Sequence, residues 1–496
     1  MVTQDNFQEW SWRVMLVLAL LVGFSFQGSR GLYETTEGRY VEVAREMLET
    51  GNWMEPTLGY RPHWTKPPLT YWAIASGIKL LGANEWGARL YNAVAFVLTV
   101  VAVACLGTTL WDRTTGLVAG LIYASSPFPA LGAYAVTTDG LLTLWETLAV
   151  LCYIRAWKHP PSPQQRTWVL VMWICFGLGF LTKAHAVFPI LFFIFVWQIY
   201  QIRKVKLANP LGIMLFLLIG FSWFVMVGLR HPGFLSYYLM QEVVARVVTD
   251  TFYRHAEWYA PFTRYMFPLG VGAGPWLYFG ATTVHREGLY NPKRLWDHLR
   301  RGGETSLLLS WLFWPLVLFS LARSRLELYV LPLYVPIALA MARALCKNDD
   351  IARHVRMVTR IALATGCVLV VAKGLATYIP NKRDMKALYE MCRAMDGRET
   401  RFLAFEEPQL FGLQFYLHGH LRRVSISGKA EWADQSLEES FGEMRRSRSP
   451  GSYVFISRRH KAPILHQTLE RQGLRCKGLE GRYWVLCSPR ELRPLQ

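Results

Sequence analysis

The chain has 496 residues, of which 52% are hydrophobic and 18% are charged, and its formal net charge is +19. Its apolar runs of about 18 or more residues are too long for ordinary core strands and suit bilayer spans. The basic residues are spread over many loops instead of forming one basic domain, which argues against a nucleic-acid-binding protein.

The apolar runs predict eleven membrane spans and therefore a polytopic α-helical membrane protein. In chain order the predicted spans are 11–27, 89–111, 115–133, 138–157, 167–182, 184–201, 209–229, 263–283, 305–322, 328–345 and 358–377. We do not expect the N-terminal segment to be a cleavable signal peptide. Asp5 and Glu9 precede the first apolar run, and no small-residue cleavage site follows it.

The distribution of Lys and Arg in short loops predicts the orientation of the spans, because cytoplasmic loops carry the excess of these residues. That excess falls on the loops 155–166, 203–206, 286–301 and 343–356. The N-terminus is therefore predicted to lie inside. The loops 28–88 and 230–262, and everything after residue 379, are predicted to lie on the outer side.

Residues 380–496 have a higher charge density and no apolar run of spanning length. Their patterns predict helices at 385–395, 435–445 and 464–472, and strands at 401–405, 452–456 and 482–487. This alternation favours a small soluble α/β domain at 380–496, which follows a transmembrane domain at 1–379.

The eight cysteines give no metal-binding pattern, since the sequence contains neither CxxC nor HExxH. Five of them lie in or beside predicted spans, where they suit apolar packing. Cys476 and Cys487 flank the turn 479–481 and could meet across a hairpin, and an outer location would permit a disulfide between them.

Three groups of charged residues are predicted to converge at the outer face. They are Glu34, Glu37, Arg39, His63 and Lys66 of the first outer loop, Asp139 at the mouth of the fourth span, and Glu242, Arg246, Arg254, His255 and Glu257 of the second outer loop, with Lys183, Arg323 and Arg325 at a similar depth. Each residue taken singly suits a snorkelling or interfacial charge, and the segment from Glu34 suits a solvated amphipathic helix.

Taken together, these residues suit group transfer from a lipid phosphate. Arg and Lys would hold the phosphate oxygens and offset the charge on the leaving group. A carboxylate would take the proton of an attacking hydroxyl or order the acceptor. Apolar grooves between the spans would hold an isoprenoid tail.

Several of these segments resemble, in order along the chain, motifs of the bacterial lipid A aminoarabinose transferases, which are C-type glycosyltransferases like the protein O-mannosyltransferases. The segment 36–48 with Gly51, Trp53 and Pro56 resembles the first periplasmic loop of that family. The other matching segments are Lys66-Pro67 with Tyr71-Trp72, Tyr134 to Asp139 with Leu144-Trp145, Gly177 to Lys183, Glu242 and Arg246 with His255 and Ala260-Pro261, Pro275-Trp276, and Ser324-Arg325 with Tyr329, Leu331-Pro332 and Pro336. The resemblance covers about three quarters of the chain.

The resemblance implies the C-type glycosyltransferase fold and assigns roles to single residues. Lys66, Arg325, Tyr329 and Arg246 would bind the donor phosphate. Glu37 and Asp139 would be the catalytic carboxylates. Residues that bind the acceptor or order the loops would be Arg39, Glu34, Glu242, His255 and Lys183.

The sequence departs from the family pattern at two positions. One departure affects the assignment of the catalytic base, and the other affects the expected metal site. Thr36 stands where the family has an aspartate, so Glu37 or Glu34 would replace that base, or an ionised phosphate acceptor would need none. Thr65 stands where the family has a glutamate, which removes the expected metal partner of His255. We therefore expect no cofactor and no tightly bound metal, with a divalent metal near His255 as the alternative.

The leading hypothesis is a monomeric glycosyltransferase of the bacterial inner membrane with its C-terminal domain in the periplasm. It would move a sugar from a polyprenyl (undecaprenyl) phosphate to lipid A or another surface glycolipid. The first alternative is a protein or polysaccharide glycosyltransferase of the same fold. The second is a lipid or sugar transporter or flippase, although the spans show no related halves. A structural scaffold would leave the charged loop motifs unexplained.

Overall fold

A computed structural model describes residues 4–201, 204–249, 254–347, 350–395, 400–426, 428, 430–447 and 452–491. The predicted loop residues 203 and 250–253 lie outside these ranges. The chain forms two compact units. Unit 1 comprises Met1–Gln27, Asn52–Ile74 and Arg89–Leu375, and unit 2 comprises Gly28–Gly51, Ala75–Ala88 and Ala376–Gln496.

The first half of the chain is almost entirely helical. Its helices are α1 (Gln4–Phe24), α2 (Thr36–Thr50), α3 (Leu69–Leu81), α4 (Glu85–Leu110), α5 (Arg113–Ser125), α6 (Pro127–Gly132), α7 (Asp139–Lys158), α8 (Pro163–Lys183), α9 (Phe188–Ile199) and α10 (Pro210–Arg230). Two short antiparallel strands, β1 (Thr57–Leu58) and β2 (Arg61–Pro62), lie between α2 and α3.

The helices continue in shorter pieces to the end of unit 1. They are α11 (Phe234–Tyr237), α12 (Ala245–Val248), α13 (Phe267–Val271), α14 (Trp276–Glu287), α15 (Pro292–Arg300), α16 (Gly303–Leu321), α17 (Tyr334–Cys346) and α18 (Ile351–Ala376). The π-helical segments Tyr238–Val244 and Phe262–Met266 and the 3₁₀ segment Glu327–Leu333 connect some of them.

Six helical stretches among the described residues are long and apolar enough to cross a membrane. They are Glu85–Leu110, Pro163–Ile199, Pro210–Arg230, Gly303–Leu321, Glu327–Cys346 and Ile351–Ala376. Each of the eleven predicted spans falls on helical structure, but α5 has only 13 residues and α7 contains several charges. The number of spans therefore stays a prediction.

Helices α7 and α8 form the hairpin that positions the site. They are joined by residues 159–162, and the hydroxyl of Ser162 caps α8 by accepting a hydrogen bond from the amide of Gln165. Two antiparallel helices with a short connection place the start of one beside the end of the other. A 3₁₀ turn at Ala184–Val187, where Ala184 has φ of 48°, then separates α8 from α9.

Unit 2 contains a six-stranded sheet with helices α19 (Met385–Ala394), α20 (Phe411–Tyr416), α21 (Leu437–Ser447) and α22 (Ala462–Arg471). The strands are β3 (Arg401–Phe405), β4 (Leu421–Ser425), β5 (Gln435–Ser436), β6 (Tyr453–Arg458), β7 (Leu474–Glu480) and β8 (Trp484–Glu491). Their order is β5-β4-β3-β6-β8-β7, with β3 to β6 parallel and with β8 antiparallel to both β6 and β7.

The expected α/β domain is confirmed, and its predicted helices and strands lie within a few residues of the observed ones. The sequence patterns missed α20, β4, β5 and β7. α20 has six residues, β5 has two, and most side chains of β7 are exposed, so these elements lack the apolar periodicity that predictions use. A disulfide joins Cys476 and Cys487, with Cα atoms 5.3 Å apart.

The unit boundary lies close to the predicted one, after Leu375 instead of residue 379. Unit 2 also takes in two segments of the first outer loop, Gly28–Gly51 and Ala75–Ala88, which the sequence patterns had assigned to the transmembrane domain. Within unit 2, α2 packs on α20, where a Cβ atom at Gly38 would lie 2.4 Å from the amide nitrogen of Gly412.

We expect Gly38→Ala to lower the thermal stability of the protein, because the new methyl group would force α2 and α20 apart at a cost of about 1–3 kcal/mol. The matched control is Gly442→Ala in α21, where a Cβ atom would meet nothing within 4 Å. That change should be neutral or stabilising. Thermal unfolding of both variants in detergent checks the expectation, and equal midpoints would contradict it.

Candidate functional site

A cavity of about 160 Å³ lies in unit 1 at the junction of α7 and α8. Charged and polar side chains form one part of its lining, namely Lys66, Asp139, Glu146, Lys183, His185, Arg246, Ser324 and Tyr329. Apolar side chains form the other part, namely Leu142, Ala186, Pro189, Leu318, Phe319, Ala322 and Pro332. The cavity can therefore hold a group with a charged end and an apolar end.

An ion pair between Lys183 and Asp139 lies at the junction of the two helices. Asp139 is the first residue of α7 and Lys183 is the last residue of α8, and their Nζ and Oδ1 atoms are 2.5 Å apart. Each charge is favourable at its own helix end, because carboxylates suit N-termini and cations suit C-termini. The ammonium group also lies 4.3 Å from the centre of the Tyr329 ring.

A second group of charges surrounds Glu242. One carboxylate oxygen of Glu242 accepts hydrogen bonds from Arg246 at 3.0 Å from Nε and 2.5 Å from Nη2. The same oxygen lies 3.5 Å from Nζ of Lys66. Two cations thus share one carboxylate, which leaves net positive charge beside the cavity.

The ionisation of Lys66 is affected by this arrangement. Burial, together with the positive charges of Arg246 and Lys183, lowers its pKa to about 7, while the negative charge of Glu242 opposes the shift. An anion bound in the cavity would favour the ammonium form.

Arg325, which the resemblance assigns to the donor phosphate, does not line this cavity. Its guanidinium group donates hydrogen bonds to the carbonyl oxygens of His255 at 3.1 Å, Glu257 at 2.8 Å and Ser320 at 2.9 Å. The backbone amide of Arg325 also bonds to the carbonyl of Arg254. Arg325 therefore fixes the second outer loop to the end of α16, while its neighbour Ser324 lines the cavity.

The remaining predicted residues do not line this cavity. His255 contributes its carbonyl oxygen to Arg325, and within the described part of the chain its imidazole belongs to no group of three potential metal ligands. Glu34, Glu37 and Arg39 belong to unit 2. Arg39 lies against the ring of Tyr40, with 5.9 Å between the guanidinium carbon and the ring centre.

Both glutamates of this segment are engaged within unit 2. Glu37 accepts two hydrogen bonds from Arg30, at 2.6 and 3.0 Å, and one from the amide of Tyr33. Glu34 accepts a hydrogen bond from the amide of Gly412 at 2.7 Å. Burial raises the pKa of Glu34 to about 8, although the hydrogen bond from Gly412 opposes the rise.

Two ionisable residues of the cavity were not identified from the sequence. Glu146 lies seven residues after Asp139, so both carboxylates lie on the same face of α7, and the buried Oε2 of Glu146 has no hydrogen-bond partner among the described residues. His185 follows Lys183 by two residues in the 3₁₀ turn, and its buried Nδ1 has no such partner either. Glu146 could have been predicted from its helical spacing of seven residues from Asp139.

The chain resembles proteins that act on lipid-linked sugars. The profile of the family described as dolichyl-phosphate-mannose-protein mannosyltransferase matches residues 65–228. Undecaprenyl phosphate-alpha-4-amino-4-deoxy-L-arabinose arabinosyl transferase 2 of Sodalis glossinidius is 31% identical over 373 residues, which are 74% of this chain and 65% of the relative. The arabinosyl transferase of Pectobacterium carotovorum is 31% identical over 379 residues, which are 74% of this chain and 66% of that protein.

These relatives confirm the resemblance to the aminoarabinose transferases, although the chain spans slightly less than two thirds of their length. ArnT from Cupriavidus metallidurans bound to undecaprenyl phosphate is similar in structure, with a TM-score of 0.76 at 19% identity over 96% of this chain and 98% of that chain. The expected C-type glycosyltransferase fold, with helical spans and a C-terminal α/β domain, is therefore confirmed.

We expect Lys66 to become a reactive amine near neutral pH, because its ammonium form is lost as the pH rises through about 7. An ordinary exposed lysine keeps its proton to a pH of about 10. Brief acetylation at a series of pH values, read by mass spectrometry, should show Lys66 modification rising about tenfold per unit below pH 7 and levelling off above about pH 8, as the loss of one proton with this pKa requires. A rise of about tenfold per unit that continues above about pH 9 would contradict the expected pKa.

Proposed function

We propose that this chain is a membrane glycosyltransferase that moves a sugar from a polyprenyl phosphate, of the undecaprenyl kind, to an acceptor on a surface glycolipid such as lipid A. The observation that carries the proposal is the cavity of unit 1, where Lys66, Lys183 and Arg246 lie beside an apolar wall. Such a cavity suits a phosphate that is attached to an isoprenoid chain. Its fold is that of the C-type glycosyltransferases.

The names of the relatives support the donor. The relatives named above are undecaprenyl phosphate-aminoarabinose arabinosyl transferases, and the similar solved structure contains undecaprenyl phosphate. We extend the donor class to this chain because Lys66, Asp139 and Lys183, which belong to three motifs of the resemblance, line the same cavity.

In the proposed reaction an acceptor oxygen attacks the anomeric carbon of the sugar. A new carbon–oxygen bond forms there, and the bond between that carbon and the phosphate oxygen breaks. The polyprenyl phosphate leaves with the electron pair. Lys66 and Arg246 would bind the phosphate oxygens on which negative charge develops. Because these cations are already in place, they would stabilise the transition state and lower the activation barrier.

The proton of a hydroxyl acceptor would pass to Asp139, and Lys183 would hold that carboxylate in place. A phosphate acceptor is already ionised and needs no base. We propose that no divalent ion takes part, because Thr36 and Thr65 replace two carboxylates of the family pattern. The hydroxyl of Thr65 lies 2.8 Å from Nε2 of His63.

We further propose that the spans lie in the bacterial inner membrane, that residues 380–496 lie in the periplasm, and that the protein acts as a monomer. The support for this orientation is the excess of Lys and Arg in the loops 155–166, 286–301 and 343–356. An acceptor such as lipid A is then reached from the periplasmic side.

We expect Lys66→Ala to lose transfer of sugar from a polyprenyl-phosphate donor. Removing one preorganised charge that stabilises a transition state costs about 10²–10³ in rate. The matched control is Lys79→Ala, which removes an exposed lysine in the last turn of α3 and should leave the rate unchanged. Radiolabelled transfer in detergent micelles, with and without EDTA, measures both effects. Normal transfer by Lys66→Ala would refute the assignment, and loss of wild-type activity in EDTA would refute metal independence.

The two catalytic carboxylates predicted from the sequence can be separated by their amide variants. Asp139→Asn should lower turnover by about 10²–10⁴ if a hydroxyl is the acceptor. Glu37→Gln should instead lower thermal stability by about 3–5 kcal/mol, since it leaves Arg30 buried without its counter-charge. Turnover and unfolding are measured on the same preparations.

A hundredfold loss of turnover in Glu37→Gln at normal stability would make Glu37 the base. Full activity in both variants would indicate an ionised acceptor, which favours a phosphate of the glycolipid.

The orientation is tested by fusing reporters after Gln496. A reporter that works only in the periplasm should be active, because the predicted inner loops carry the Lys and Arg excess. A reporter that works only in the cytoplasm serves as the control and should be silent. The opposite pattern would overturn the orientation.

A further inference from the structure

Unit 2 contains a second, larger cavity of about 620 Å³ that the proposed transfer reaction does not use. It lies outside the carboxyl ends of the parallel strands β3 and β6. Gln409 and Leu410 follow β3, while Arg458, Arg459 and His460 lie at the end of β6. A volume of this size is typical of sites for small organic ligands.

The topology of the sheet makes this place a natural binding crevice. From β3 the chain proceeds to β4 and β5 on one side and then returns to form β6 on the other side. The loops that leave β3 and β6 therefore diverge, and they open a crevice between them. Open α/β sheets bind their ligands at such switch points.

The crevice is strongly basic. Among the described residues, five Lys and Arg side chains line it, and Glu34 is the single carboxylate in its lining. Arg458 and Arg459 are partly neutralised by Glu407 and Glu480, at 3.1 and 3.7 Å. Lys382, Arg383 and Arg482 form no ion pair with a carboxylate in the described part of the chain, although all three are exposed.

The single carboxylate does not oppose an anion at neutral pH. Glu34 is 94% buried, since 6% of its surface is exposed, and its Oε1 has no hydrogen-bond partner among the described residues. Because burial raises its pKa to about 8, the group is mostly protonated at pH 7 and can donate a hydrogen bond. Tyr483 adds half-buried aromatic surface to the lining, whereas Trp484 is buried.

We infer that this crevice binds a phosphorylated saccharide, with Lys382, Arg383 and Arg482 contacting the phosphate groups. The inference rests on the proposed function in one respect, because the saccharide would be the phosphorylated head group of the acceptor glycolipid. Three unpaired cations around a volume much larger than a phosphate ion match a sugar that carries more than one phosphate. The crevice would thus select the acceptor, whereas the cavity of unit 1 binds the donor.

The test uses the full-length protein in detergent and a soluble glucosamine disaccharide that carries two phosphates. Binding is measured for the wild type and for a triple variant, Lys382→Gln, Arg383→Gln and Arg482→Gln. The control is a triple variant with the same loss of charge at exposed positions elsewhere in unit 2, Arg471→Gln, Arg475→Gln and Lys477→Gln. We expect the crevice variant to bind at least about tenfold more weakly, since bonds to charged groups are lost. The control should bind normally.

Three results with the two variants and the disaccharides would overturn the inference. The crevice variant could bind like the wild type, both variants could weaken equally, or the disaccharide without phosphates could bind as well as the phosphorylated one. Inorganic phosphate alone serves as a further probe. If it binds as tightly as the phosphorylated disaccharide, the crevice is a site for the free ion, and the inference that it binds a saccharide is refuted.

Transfer kinetics distinguish this inference from the proposed function. The crevice variant should have a raised KM for the glycolipid acceptor, with unchanged kcat and unchanged affinity for undecaprenyl phosphate. Normal saccharide binding by a wild-type protein that transfers no sugar would refute the proposed function and leave the binding site intact. A normal acceptor KM in the crevice variant would refute the acceptor role of the crevice.

Discussion

The ion pair between Lys183 and Asp139 joins the ends of two neighbouring apolar helices, and the cavity of unit 1 is built around it. Charges at the ends of membrane helices are costly if they face lipid, so they must face each other, water or a ligand. The α7–α8 hairpin meets this requirement by placing an N-terminal carboxylate beside a C-terminal ammonium group. Each charge also interacts favourably with the dipole of its own helix.

The charges around Glu242 are not balanced one to one as in that ion pair. Lys66 and Arg246 converge on one carboxylate oxygen, so the positive charge is only half compensated. Burial and the excess of positive charge together lower the pKa of Lys66, and a bound anion would offset both effects. In the proposed function, the phosphate of the donor would supply the missing negative charge.

In unit 2 the lining residues are brought together by the topology of the sheet, whereas in unit 1 they are held by paired charges. Its parallel strands end at a switch point, and the basic residues of three separate segments, 382–383, 458–460 and 482, meet there. The segment from Tyr33 to Glu34 reaches the same place because the amide of Glu34 bonds to the carbonyl of Arg383, and Tyr33 forms a bridge with Asp384. Residues far apart in the sequence thus become the wall of one crevice.

The sequence alone determined the membrane class, the α/β character of the C-terminal region and the charged motifs, because apolar length and periodicity are local properties. It also identified Lys66, Asp139, Lys183, Glu242 and Arg246, which the structure brings to one site. It could not determine that Glu37 pairs with Arg30, that Arg325 bonds to the carbonyls of the second outer loop, or that Glu34 lines a crevice of unit 2. These outcomes depend on which segments pack together, and only the tertiary structure decides which oxygen or cavity a long charged side chain reaches.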